Sequence, residues 1–241
     1  MIVYGRNVIF EALKRNYPVF EIRIAAGSKK DLEGILRLAQ SKSIKTKVVS
    51  KDELSGWVKS QDHQGIGGIV QDIPEYDLEI FTKNTVNSSL VVMLDGVLDP
   101  RNLGAIIRTA LAVGSNGMVL PKDRTAPLSA FAIKASSGAG LFLPVVKVAN
   151  LSRAVDELKK NGFWVYGASV KDALPVYDVN WAEKTVIVFG GEGGGLRRLV
   201  REKCDVLFTI PMWGGVESLN VSVAAGVALF EWRRKKSPNG S

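Results

Sequence analysis

Residues 89–112 read SLVVMLDGVLDPRNLGAIIRTALA, and the fold follows from this stretch. Ser89–Asp95 is a nearly unbroken apolar run, the pattern of a strand buried on both faces of a parallel sheet. A polar interval follows, and then Leu103, Ile106, Ile107, Ala110 and Leu111 recur at helical spacing. Further apolar runs predict strands at Gly117–Leu120, Phe163–Ala168, Thr185–Phe189 and Leu207–Ile210. Between and around them, helical patterns occupy Asn102–Val113, Ala126–Ser136, Leu151–Lys160 and Asn220–Arg234. Strand–helix alternation of this kind predicts a parallel sheet with helices on both faces.

Upstream lies a second, smaller α/β pattern. Helices are expected at Asn7–Arg15, Asp31–Ser41 and Lys51–Val58, with strands at Phe20–Ala26, Thr46–Val49 and Gly65–Gln71. Residues 1–72 carry 12 basic and 8 acidic side chains, residues 73–90 one and three, and the remainder 19 and 13. Two basic blocks joined by a short acidic stretch predict domains at 1–72 and 89–241 with a linker at 73–88.

The net charge of +8 favours a polyanionic partner, because basic side chains release counterions from phosphate backbones. The N-terminal MIVYGRNVIFEALKRN lacks the unbroken apolar core of a secretory signal, and no run is long enough to span a membrane. A cytoplasmic protein is expected. Cys204, the one cysteine, precedes the apolar run Val206–Ile210 and reads as a buried small hydrophobe. No Cys/His cluster suggests a metal.

Three polar clusters fall at the C-terminal ends of expected strands, where open α/β sheets bind ligands. In the first, Gly104 and Arg108 are four residues apart on one helix face, so Arg108 either reaches a ligand over the bare glycine or is a solvated surface arginine. The second, Phe189-Gly190-Gly191-Glu192-Gly193-Gly194-Gly195, surrounds one carboxylate with five glycines. Its spacing is neither the dinucleotide pattern nor the phosphate loop, yet it permits close approach of backbone to a ligand. The third runs from Ile210 through Pro211, Met212 and Glu217 to Ser218, Leu219 and Asn220. Ser218 reads as the N-cap of the next helix, with Asn220 in its first turn. That helix is rich in small residues: Ser222, Ala224, Ala225, Gly226 and Ala228.

In this order and at these separations, the clusters resemble the three signature motifs of the SpoU/TrmH family of RNA ribose methyltransferases. Asn102, Gly104, Arg108, Thr109 and Ala110 match the first motif; Gly190, Glu192 and Gly195 match the second. Ile210–Met212 and Ser218–Ala224 match the third, and the likeness covers about residues 89–234. Tyr4–Val8 with Glu11–Leu13, and His63–Ile66, are similar to the N-terminal domain of the bacterial 23S rRNA guanosine 2′-O-methyltransferases.

The resemblance implies a small L30e-like α/β N-terminal domain that binds RNA, and a parallel-sheet SPOUT catalytic domain with a C-terminal trefoil knot. It implies S-adenosylmethionine as cofactor, RNA as substrate with ribosomal RNA favoured over tRNA, and a homodimer through the C-terminal domain. The catalytic set it implies is Arg108 with Glu192, Asn220, Asn102 and Ser218. By the same likeness, backbone around Gly190, Gly191, Gly195, Ile210, Met212 and Leu219 holds the cofactor. His63, the one histidine, lies in the other block and is expected to be structural or RNA-contacting. An arginine can hardly deprotonate a hydroxyl, so Arg108 is expected to orient it and to stabilise the forming alkoxide. A tRNA ribose methyltransferase of the same family and a non-catalytic rRNA-binding protein are the competing readings. Residues 1–72 favour rRNA over the first, and the intact motifs argue against the second.

Overall fold

The computed structural model describes residues 1–83, 88–191 and 193–236. The chain begins β1 (Ile2–Tyr4), α1 (Arg6–Lys14), β2 (Val19–Ala25), α2 (Glu33–Ser41), β3 (Lys45–Val49), α3 (Lys51–Val58) and β4 (Ile66–Val70). It continues with α4 (Ile80–Lys83), β5 (Ser89–Asp95), α5 (Pro100–Ala112), β6 (Gly117–Pro121), α6 (Ala130–Ala135), β7 (Val145–Val148), α7 (Leu151–Lys160) and β8 (Trp164–Ala168). Last come β9 (Leu174–Pro175), β10 (Lys184–Gly190), α8 (Arg198–Arg201), β11 (Val206–Thr209) and α9 (Val221–Lys236). Two compact units result: Met1–Pro74 with Pro127–Phe142, and Glu75–Ala126 with Leu143 onward.

The first unit is a four-stranded sheet in the order β1-β4-β2-β3, antiparallel except for the β2–β3 pair. One face buries Val8, Ile9, Ala12 and Leu13 of α1, spaced as a single helical stripe, against Ile22 and Ile24 of β2. The other carries Leu54 and Val58 of α3. That helix starts where it should: Ser50 Oγ accepts the Glu53 amide at 3.1 Å, and Asp52 and Glu53 sit at the positive end of the dipole.

Sequence periodicity counted residues 127–142 with the second block, but their contacts lie in the first unit. Ile133 and Leu141 complete its core beside Val8 and Leu13, with Leu128 and Phe142 packed against them. Deleting residues 1–72 would therefore strip the partners from Ile133 and Leu141. The stretch expected to be a plain linker is also engaged. Leu78 and Phe81 are buried in the core of the second unit, while 84–87 lie outside the described residues.

His63 is buried in the first unit, and both ring nitrogens are occupied. Nδ1 accepts the Gly65 amide at 2.9 Å, which leaves Nε2 as the protonated nitrogen, 3.1 Å from Ser55 Oγ. Burial, reinforced by Lys51 and Lys134 against the opposing pull of Asp62, holds the imidazole below its ordinary pKa. The unfolded chain thus takes up this proton first as pH falls through roughly 6.5, and folding stability declines below that point. Urea unfolding followed from about pH 7.5 to pH 5 should show this acid loss, and it should shrink in His63→Gln. An unchanged pH slope in the variant would show that His63 is not the linked group.

The second unit is a seven-stranded sheet in the order β7-β6-β5-β10-β8-β11-β9, every pair parallel. All seven residues of β5 are buried, as the apolar run predicts. Helix α5 opens on Asp99, whose side chain accepts the Arg101 amide at 2.8 Å, with Pro100 in the first turn. Leu103, Ile106, Ile107 and Ala110 of its expected stripe are buried; Leu111 is half-buried. Ala225 and Ala228 of α9 are fully buried, and α9 packs on α5, so these small residues serve internal packing. Cys204 is half-buried, its Sγ directed to the Val200 carbonyl, and burial raises its thiol to about 12, far from reactive.

Candidate active site

Strands β10, β8 and β11 are neighbours in the sheet, and beyond their C-terminal ends lies a cavity of about 810 Å³. Open parallel sheets bind ligands beyond the C-terminal ends of their strands, and the volume suits a nucleoside-sized ligand. Phe189 to Gly191 reach it from β10, Ala168 to Lys171 from β8, and Phe208 to Ile210 from β11. Met212, the run Glu217–Val221 and Ala224 close it at the start of α9.

The glycine loop is built on close approach. A Cβ at Gly190 would lie 2.1 Å from the carbonyl carbon of Gly195, and one at Gly191 would lie 2.2 Å from the Gly96 oxygen. The loop folds back on itself through a bridge between Gly191 and Gly195, whose φ is +61°. Asp95, at the tip of β5, anchors its far end. The buried carboxylate accepts the Arg197 amide at 2.8 Å and its Nε at 2.5 Å, while Gly191 N–H bonds to the Asp95 carbonyl at 2.9 Å. Asp95 was not singled out from sequence, although one carboxylate ending an apolar strand is a readable signal.

The second loop ends differently from expectation. Asn220, not Ser218, caps α9: its Oδ1 accepts the Ser222 amide at 2.9 Å and the Ser222 hydroxyl at 2.6 Å, and its carbonyl receives the Ala224 amide. The helix starts two residues later than the Ser218 reading requires, because Asn satisfies the free amides of a first turn as well as Ser does. Ser218 is exposed and lines the cavity. The Asn220 amide also donates to Asn102 Oδ1 at 3.2 Å, which ties the start of α9 to buried Asn102 in the first turn of α5.

All six residues expected at the cofactor, Gly190, Gly191, Gly195, Ile210, Met212 and Leu219, line this one cavity, as do Ser218 and Asn220. Asn102 joins it through Asn220. Arg108 is exposed on α5 and is not part of the cavity lining. Helical side chains lean toward the N-terminus, so Arg108 leans toward the end of α5 that carries Asn102. Glu192 lies outside the described residues. Among the described residues no group of three His, Cys, Asp or Glu could hold a metal, and no helix is long and apolar enough to cross a membrane.

The chain matches the model of the SpoU rRNA Methylase family over residues 89–230. Residues 2–76 match the model for RNA 2′-O ribose methyltransferase substrate binding. The 23S rRNA (guanosine-2′-O-)-methyltransferase RlmB of Xylella fastidiosa is 40% identical, covering 98% of this chain and 96% of that protein. A Staphylococcus aureus protein assigned to the TrmH family of tRNA/rRNA methyltransferases is 38% identical, covering 99% and 98%. In fold, the chain is similar to the SpoU methyltransferase AviRb of Streptomyces viridochromogenes, solved in complex with AdoMet. The TM-score is 0.81 at 24% identity, over 99% of this chain and 91% of that one.

Proposed function

The chain belongs to the SpoU rRNA methylase family, and from that premise we propose that it methylates the ribose 2′-hydroxyl of a guanosine in 23S rRNA, using S-adenosylmethionine. The observation that carries the substrate is the 40% identity to a 23S rRNA guanosine enzyme along the whole chain, rather than over the catalytic part alone. A tRNA substrate is the second reading, supported by the tRNA/rRNA assignment of the Staphylococcus aureus relative. Purified protein given labelled cofactor and RNA from cells lacking the gene should mark one guanosine in 23S rRNA. Label confined to tRNA would overturn the rRNA reading.

The cavity fits the cofactor. Its walls are glycine backbone and apolar side chains, suited to an adenosine, with the polar Ser169, Thr209, Ser218 and Asn220 and a few charged groups among them. Bound there, S-adenosylmethionine supplies an electrophilic methyl on a sulfonium. The rest falls to the chain's own residues. In this reading the guanidinium of Arg108 holds the 2′-oxygen in line and stabilises negative charge as the hydroxyl proton departs. Asn220 and Asn102, already hydrogen-bonded to each other, fix the loop edge against which the ribose is aligned. Glu192 is assigned to orient Arg108 and Ser218 to the same rim. His63 is excluded as the base for this hydroxyl by its two internal hydrogen bonds.

The proposal extends to the domains and assembly. The first unit takes the role of RNA-binding domain, and the C-terminal loops form the knotted region that the family likeness implies. The location is the cytoplasm. A homodimer forms through the face of α9 turned away from α5. There Val223 and Phe230 are 52% and 56% exposed, and Gly226 and Val227 lie between them at helical spacing. An apolar stripe left open to water marks an interaction surface. Phe230→Asp should halve the mass measured by light scattering at micromolar concentration. A wild-type protein that is already monomeric would remove the dimer from this proposal.

A further inference from the structure

Charged side chains are scarce on the cavity wall: among the described lining residues they are Lys171, Arg201 and Glu217. The two cations occur together. Lys171 sits in the loop beyond β8, and Arg201 ends α8 and donates from Nη2 to the Lys171 carbonyl at 3.2 Å. Among the described residues neither has a partner that would keep it from a ligand. The Lys171 ammonium has no ion pair among the described residues, and the one ion pair of Arg201 among them is with Asp172 at 3.6 Å, on a carboxylate 91% exposed. A pair that exposed contributes little and is readily exchanged. Two cations from adjoining segments, on a wall otherwise of glycine, apolar and mostly uncharged polar residues, are an unmatched feature of an adenosine pocket. Adenine and ribose carry no negative charge to meet them.

We infer that Lys171 and Arg201 form a carboxylate subsite that takes the α-carboxylate at the amino-acid end of S-adenosylmethionine. This rests on the reading of the cavity as the cofactor site and deepens it. The chemistry is complementary: a planar guanidinium presents two N–H groups to two carboxylate oxygens, and an ammonium adds a point charge beside it. Glu217, on the same cavity, has no ion pair among the described residues, and its carboxylate complements the positive sulfonium and α-ammonium of the same ligand. The subsite also orients the cofactor. With the carboxylate held beyond β8, the flexible amino-acid arm has a fixed end.

Two ligands separate this subsite from the rest of the pocket. S-adenosylhomocysteine carries the carboxylate, and 5′-methylthioadenosine has the same adenosine end without the amino-acid arm. Calorimetric titration of the full chain with each should be compared for wild type, Lys171→Ala, Arg201→Gln and the double variant. A lost hydrogen bond to a charged group corresponds to roughly tenfold or more in affinity. That loss is expected for S-adenosylhomocysteine alone, with methylthioadenosine bound as by wild type, which also shows that the variants are folded. Equal weakening of both ligands would overturn the subsite in favour of a structural role. Unchanged cofactor affinity with a raised KM for RNA would overturn it in favour of a substrate phosphate contact. Wild type that binds neither ligand would instead refute the cofactor cavity, and this inference with it.

Discussion

Arg108→Ala is expected to lower single-turnover methylation at saturating cofactor by roughly a hundredfold or more, the scale of deleting a charged transition-state contact. Arg108 is exposed and outside the cavity lining, so its removal should leave the affinity for S-adenosylhomocysteine near wild type. Arg108→Lys separates charge from shape. An ammonium keeps the charge but lacks the planar fork that engages a hydroxyl and a neighbouring phosphate together, so it should recover little of the rate. Near-normal turnover of Arg108→Ala would return the residue to the status of a solvated surface arginine.

Gly190→Ala is expected to abolish cofactor binding within the measurable range and to lower the melting temperature. The added methyl would stand 2.1 Å from a backbone carbonyl carbon of Gly195 and 2.4 Å from the Leu196 nitrogen. No side-chain rotation relieves a clash with backbone; the loop itself must move, and it is held at Asp95 by Arg197. Overpacking a tight site costs about 1–3 kcal/mol, or from about fivefold to over a hundredfold if it falls on binding. A clash with the Gly195–Leu196 peptide itself, rather than with a side chain, places this case at the upper end. Gly194→Ala is the control, because a Cβ there meets no protein atom within 4 Å, and its melting temperature should match wild type. A Gly190→Ala protein that binds S-adenosylhomocysteine normally would show that the loop is not the cofactor's cradle.

Much of this protein is determined by its sequence alone. Apolar runs of five to seven residues ending in polar clusters are unambiguous where both faces of a strand are buried. Ser89–Asp95 was therefore legible to the residue, and so was Leu151–Lys160 as an amphipathic helix. The glycine run 190–195 drew attention by composition, whereas Ile210, Met212 and Leu219 were named through the resemblance of their motif, and all six named positions line one cavity. Two short edge elements were not read. Val145–Val148 and Leu174–Pro175 contain too few residues to show a period, and only the neighbouring strands make them part of the sheet.

Tertiary structure alone decided three things. Residues 127–142 follow β6 in the chain, yet Ile133 and Leu141 bury with α1, because local pattern shows that a face is apolar but not which partner covers it. The cap of α9 is Asn220 rather than Ser218, since either side chain can satisfy the first-turn amides and the path of the loop selects between them. Lys171, Arg201 and Glu217 lie far apart along the chain and mean nothing singly. Folding brings them onto one wall, and charge in a cavity is a property of that juxtaposition.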